Sequence, residues 1–253
     1  MMGLAKEVSA FFNEMKEKAL RSFKEIDPTG KVDEKIWSFP IGEMEVRTIR
    51  GNVFEKVGIS NVNLNVILPG NNRSTTVKVF EICAHMKNPK VPIGTISLRY
   101  LLSDNGKFMC HTDLSPTFPF EDDIIFYKGE MIKLSERYGK SYEEMRERLI
   151  NIFMSKYRKR LRGGGLGISF ETDDEGFPMV KDCGESFFGT FTQIVKKRKG
   201  EKYTAEEREK LLTSRAKWVE FNLVEDKGFI RGVELGIPPE PMILQTLPPL
   251  VRF

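Results

Sequence analysis

What most limits how this chain can fold is a block from about Trp37 to Asp113 in which strand-like alternation recurs with no helical spacing in between. The stretches VRTIRGNVFEKVG, NVNLNVILPG, TTVKVFEICAH and IGTISLRYLLSDNGKFMCHTD alternate apolar and polar residues, the pattern of strands with one face buried. Parallel neighbours need a crossover of a dozen or more residues, usually a helix, and the block has no room for one. Its strands, at least four of them, are therefore expected to run antiparallel. DNG at 104–106 marks a tight hairpin between the last two.

The flanks read differently. Leu4, Val8, Phe11, Phe12, Met15, Ala19, Leu20 and Phe23 fall at three-and-four spacing and predict an amphipathic helix over 4–26, stopped by DPTGK at 27–31. FEDDIIFYKGEMIKLSERYG and SYEEMRERLINIFMSKYRKRL restore helical spacing, with Ser141 and Glu144 placed as a capping box and Phe153, Met154 and Tyr157 as ordinary core. GLGISFETDD predicts a strand, SFFGTFTQIVKKRKG and TAEEREKLLTSRAKW predict helices, and VEFNLVED and PMILQTL predict two last strands. The fold class is α+β: a mainly antiparallel sheet of six or more strands, covered by helices, in a single domain spanning 1–253.

Composition narrows the partners. Forty basic residues against 36 acidic ones, mixed along the chain, give a formal charge of +4 and no domain-wide cationic face, so no nucleic-acid partner is expected. No apolar run approaches the roughly 20 residues of a membrane span, and the N-terminus lacks a basic region followed by an apolar signal core. With three cysteines, an odd number without framework spacing, the expectation is a cytoplasmic protein with reduced, packed thiols.

Few segments carry chemistry on their face. RLRGGGLG at 160–167 fits neither a Walker loop, which needs Lys-Ser/Thr after the glycines, nor a dinucleotide fingerprint, which needs a strand before and a helix after. Two readings stay open for it. One is a helix C-cap whose arginines complement the dipole; the other is a site where Arg162 and nearby backbone N–H groups hold a carboxylate. Cys83 and His85 would share a strand face while Cys110 and His111 would point to opposite faces, so the four do not converge on a metal. No GxSxG elbow is present.

Five longer stretches point further. GNVFEKVGISNVNL (51–64), HMKNPKVPIGTISLRYL (85–101), TDLSPTFPFEDD (112–123), WVEFNLVEDKG (218–228) and LPPLVRF (247–253) occur in the order seen in the oxygen-dependent coproporphyrinogen-III oxidases, which the chain resembles over most of its length. The resemblance implies a large antiparallel sheet between two layers of helices, usually in a homodimer. It also implies an enzyme that converts two propionates of a porphyrinogen to vinyl groups, with dioxygen as co-substrate and neither metal nor organic cofactor, in heme biosynthesis. Such a site needs cations for propionates and a carboxylate near the pyrrole N–H groups. Arg99 in SLRY and Asp113 in TDLSP match the family's catalytic arginine and pyrrole-facing aspartate, and Arg162 is a candidate carboxylate contact.

The chain also departs from the family pattern. The family strand reads His-x-Asn-x-Arg-Tyr, where this sequence has Thr95, Ser97, Arg99 and Tyr100. A second family histidine is Lys90, and the arginine of a C-terminal Gly-Gly-Arg is Pro239. Thr95 and Ser97 are thus expected against the substrate, with Lys90, Arg47, Arg50 or Arg231 as replacement cations. A related enzyme on another tetrapyrrole and a non-catalytic tetrapyrrole-binding protein are the alternatives.

Overall fold

The computed structural model describes residues 2–67 and 73–253; positions 68–70, at the end of the NVNLNVILPG pattern, lie outside them. The chain begins with α1 (Met2–Ile26), whose Val8, Phe12, Met15, Ala19 and Phe23 are all buried. Six strands follow, with no helix between them among the described residues: β1 (Lys31–Phe39), β2 (Gly42–Arg50), β3 (Phe54–Ile67), β4 (Ser74–Met86), β5 (Ile93–Leu102) and β6 (Gly106–Ser115). After α2 (Glu121–Arg137) and α3 (Tyr142–Phe153) comes β7 (Ile168–Asp173). Among the described residues the sheet has seven strands in simple sequence order, every neighbouring pair antiparallel. A meander of this kind needs only short turns, which is why the strand block carries no crossover.

The rest of the chain supplies α4 (Phe177–Arg198), α5 (Ala205–Ser214), α6 (Ala216–Val224), α7 (Lys227–Glu234) and α8 (Pro239–Thr246). Strand alternation assigns the two faces of the sheet. Phe80, Ile82, Ile96, Leu98, Phe108 and Cys110 face the main core, where they meet α1, α2 and α4. Phe12 lies over Phe80 with ring centroids 6.2 Å apart, and Phe108 stacks on Phe177 at 5.5 Å. The opposite face, carrying Lys56, Glu81, Cys83, His85, Ser97 and Arg99, is roofed by α6–α8. Lys56 Nζ donates to Leu244 O at 2.6 Å and His85 Nε2 to Thr246 O at 2.8 Å, tying β3 and β4 to the C-terminal end of α8.

Four expectations need correction, the first being that Met154 and Tyr157 are core: they are exposed, beyond the end of α3. VEFNLVED and PMILQTL are not strands; they lie in α6 and α8. Val219, Phe221 and Leu223 mimic strand alternation, but the residues buried in α6 are Trp218, Phe221 and Asn222, at helical spacing. Pro239 and Pro241 occupy the first turn of α8, where a missing N–H costs nothing. The SYEEMRERLINIFMSKYRKRL helix stops at Phe153, so the basic run lies in a loop closed by a Met154–Leu161 bridge, with Arg158 and Arg160 paired to Glu220. The glycine run therefore does not cap a helix.

Candidate active site

Between the sheet and α6–α8 lies a cavity of about 580 Å³, within the range of small-molecule sites. Strand register lays out its floor and margins as three rows across β4, β5 and β6: Val79–Arg99–Met109, Glu81–Ser97–His111 and Cys83–Thr95–Asp113. The DNG hairpin is what brings the last two strands into this register. Apolar residues of β2, β3 and β4, among them Met44, Val62 and Val77, extend the floor, and nearly all of α7 forms the facing wall.

Arg99 is held in position before any ligand arrives. Its Nε donates to Ser97 Oγ at 3.0 Å and its Nη2 to Glu81 Oε1 at 2.6 Å, while Ser97 Oγ donates to the same Glu81 oxygen at 2.7 Å. Burial works to lower the arginine's pKa, but the Glu81 and Asp226 carboxylates outweigh it and the net shift is upward. Asp226 caps α7, its Oδ1 accepting from Phe229 N at 2.9 Å.

Arg162 has a different setting. Its guanidinium carbon lies 3.8 Å from the ring centroid of Phe153 and 4.0 Å from that of Trp218, so a planar cation is sandwiched between aromatic faces. Its one polar side-chain contact among the described residues is a long one, Nη1 to Asn222 Oδ1 at 3.4 Å, and Nε is buried without a partner. Burial lowers its pKa, with too few acceptors to offset the cost. A buried, under-satisfied guanidinium lining a cavity has donors free for an anionic group such as a carboxylate.

Asp113 is 1% exposed, and its carboxylate is already filled. Oδ2 accepts from Gly164 N at 2.9 Å and Gly165 N at 3.1 Å; Oδ1 accepts from Leu166 N at 2.8 Å and Gly167 N at 3.1 Å. This explains the glycine run. A Cβ at Gly164 would lie 1.8 Å from Leu114 O, and one at Gly167 would lie 1.7 Å from Thr112 O, so only glycine lets the turn wrap the aspartate. Burial raises the Asp113 pKa and the four N–H groups oppose that rise. The backbone N–H groups expected to hold a carboxylate do hold one, but it is the chain's own, and it lies off the cavity lining.

His111 was not foreseen. It lines the cavity with its ring edge-on to Phe153, centroids 5.0 Å apart. Burial, then Arg99 and Arg162, push its pKa well below the usual imidazole value, so it stands neutral at physiological pH. Counting from the hairpin would have found it, since pairing Arg99 with Met109 puts His111 opposite Ser97, on the arginine's face. The same count places Glu81 there. The Cys/His pairs do not converge: Cys110 faces the main core, and His85 Nε2 is engaged by Thr246 O, with Cys83 Sγ 3.3 Å away. Among the described residues no group of three or more His, Cys, Asp and Glu side chains is arranged to hold a metal.

A family profile described as coproporphyrinogen III oxidase matches residues 7–253. The chain belongs to the coproporphyrinogen III oxidase family. It is 31% identical over 232 residues to an oxygen-dependent coproporphyrinogen-III oxidase of Francisella philomiragia, covering 80% of this chain and 72% of the relative. It is 27% identical over 265 residues to the enzyme of that name from Wigglesworthia glossinidia brevipalpis, covering 96% and 87%, and 29% identical over 226 residues to that from Rickettsia rickettsii (strain Sheila Smith), covering 81% and 78%.

Within this coproporphyrinogen oxidase-like fold, the cavity gathers some of the sequence candidates and leaves others out. Arg99, Arg162, Thr95, Ser97 and Arg231 line it. Thr95 Oγ1 makes only a 3.4 Å contact to Asp113 O, and Arg231 pairs with Glu234 at 2.8 Å. Lys90 lies elsewhere, paired with Glu207 of α5 and over the Phe118 ring at 5.1 Å. Arg47 is on the other face of the sheet, beside α1, held by Glu17, Glu34 and Glu45 at 2.9, 2.9 and 2.8 Å. Arg50 is exposed and off the lining. The cation on the cavity wall that the sequence reading did not name is Lys227.

Proposed function

We propose that the protein is an oxygen-dependent coproporphyrinogen-III oxidase, converting ring propionates to vinyl groups on the way to heme. The observation that carries this reading is the pair of arginines in one largely apolar cavity, Arg99 on the floor and Arg162 between two aromatic rings, in a chain of this family. A porphyrinogen needs an apolar bed for its ring and cations for the carboxylates on its rim. Arg99 and Arg162 take propionates, assisted by Lys227 and Arg231 of α7, while Thr95 and Ser97 lie under the ring.

In each step the bond to the carboxylate breaks and its electron pair becomes the vinyl double bond. Carbon dioxide leaves, and a hydride equivalent from the neighbouring carbon, with one proton, reduces dioxygen to hydrogen peroxide. The reaction we propose uses dioxygen as oxidant, with neither metal nor organic cofactor. Asp113 acts at one remove, by fixing the glycine turn that follows Arg162. The neutral His111 imidazole is the group placed to move a proton where Thr95 cannot.

No helix of the described residues is long and apolar enough to cross a membrane. A cytoplasmic homodimer is part of the proposal. Its support is the family and edge strand β1, which exposes Val32 and Ile36 beside an unpaired backbone edge. Sedimentation would report a concentration-independent monomer if that element is wrong. The activity itself is tested by incubating purified protein with coproporphyrinogen III under air and under argon and following products by mass. Stepwise loss of carboxyl groups under air alone supports the reading. Tight binding without loss under either gas would move the protein to a tetrapyrrole-binding role.

A further inference from the structure

The cavity also holds a group suited to the centre of the ring, and this inference rests on the porphyrinogen reading above. A porphyrinogen turns four pyrrole N–H donors toward its middle and carries its carboxylates outside. A complementary site therefore places an acceptor centrally and cations around it. The carboxylates in or against the cavity are Glu81, Asp113, Asp226 and Glu234, and they are not equally free. Asp113 spends both oxygens on four backbone N–H groups, which exhausts the roughly four lone-pair sites of a carboxylate. Glu234 pairs with Arg231, and Asp226 stands on the α7 wall as that helix's N-cap.

Glu81 is on the floor itself. Its strand, β4, is the middle one of the five, β2 to β6, whose side chains line the cavity, and the middle one of the whole sheet. Ser97 Oγ and Arg99 Nη2 both donate to Oε1, at 2.7 and 2.6 Å, which fixes the carboxylate's orientation. No hydrogen bond reaches Oε2 among the described residues, and the side chain is 20% exposed, on the cavity side.

We propose that Glu81 is the specificity-determining acceptor for the pyrrole N–H groups, with Ser97 and Arg99 as its positioning residues, and that it makes the cavity prefer a reduced porphyrinogen to an oxidised porphyrin. A porphyrin has only two N–H groups and turns the lone pairs of its two other nitrogens toward the same point, where a carboxylate repels them. Charge-assisted contacts of this kind are strong enough for the preference to be about tenfold or more.

The test measures affinities of the intact protein for coproporphyrinogen III and coproporphyrin III without oxygen, by quenching of tryptophan fluorescence, in wild type, Glu81→Gln and Asp226→Asn. Both ligands carry the same four propionates, so any release of Arg99 in Glu81→Gln cancels in the ratio of affinities. Wild type should favour the porphyrinogen, Glu81→Gln should lose most of that preference, and Asp226→Asn should keep it. An unchanged ratio in Glu81→Gln, or a ratio lost in Asp226→Asn instead, overturns the assignment while leaving the porphyrinogen site standing. A wild type that binds neither ligand overturns the site itself. If Glu81→Gln fails to fold by circular dichroism, Glu81→Asp, which retracts the charge, takes its place; an undiminished preference there also overturns the proposal.

Discussion

Replacing Asp113 by asparagine separates a carboxylate that holds the fold from one that acts on substrate. In the folded protein four N–H groups, from Gly164 to Gly167, converge on the two oxygens at 2.8 to 3.1 Å. An amide keeps one oxygen and points an NH2 at the other pair of donors. Two buried N–H groups then lack an acceptor, at about 1–3 kcal/mol each. The remaining two bonds lose their charge assistance, together about 1 kcal/mol more. The sum is about 3–7 kcal/mol, against a total stability of about 5–15 kcal/mol for a typical domain. Urea unfolding followed by circular dichroism should show a loss of that size in unfolding free energy, seen as a lower midpoint with the slope unchanged. Macrocycle affinity should fall with it, because the turn that follows Arg162 is loosened. A loss below about 1 kcal/mol, with turnover abolished and affinity intact, would refute this reasoning and return Asp113 to direct action on the transition state.

Three further expectations follow from the geometry. Arg162→Met should weaken coproporphyrinogen binding at least about tenfold, and Arg162→Lys should not restore it, because an ammonium has no plane to lie between Phe153 and Trp218; full rescue by lysine would argue against the aromatic sandwich. Gly58→Ala would put a Cβ 2.0 Å from Gln245 O, so α8 must lift from the sheet; a melting temperature matching wild type would show that the contact is slack, where overpacking commonly costs about 1–3 kcal/mol. Burial first, then nearby cations, hold His85 and His111 well below the usual imidazole pKa. Below about pH 6.5 the unfolded chain binds protons that the folded one refuses, so stability should fall as pH drops, by up to about 1.4 kcal/mol per unit for each histidine. Urea midpoints at pH 7 and 5.5 check the sign, and His111→Gln should flatten the slope; a midpoint that rises on acidification contradicts it.

The central strands were legible because their apolar alternation is the direct trace of burial on one face. β1 before Trp37 was not, since an edge strand solvated on both sides leaves no such trace: residues 31–36 are all exposed. α6 and α8 read as strands because each is short enough for either period to fit its apolar residues, and only contact with the sheet decides between them. At the site, Arg99 and Arg162 were found by motif, and both line the cavity. Asp113 was found by motif as well, but no local pattern shows that a glycine run some fifty residues away will fill its carboxylate. Lys90 was chosen because it stands at a family histidine position and Arg47 for its charge, and neither reports which face of a strand or which helix a side chain meets. Glu81 and His111 needed strand register, which the DNG hairpin already supplied for the second of them.

The claim that matters most is that this cavity is where a porphyrinogen sits, and a crystal structure of the protein with coproporphyrinogen III bound under argon tests it most directly. The account predicts the ring over the Glu81–Ser97–His111 row, one propionate on Arg99 and another on Arg162. A macrocycle bound outside the space between the sheet and α6–α8, or in it with both arginines still unengaged, would contradict the account.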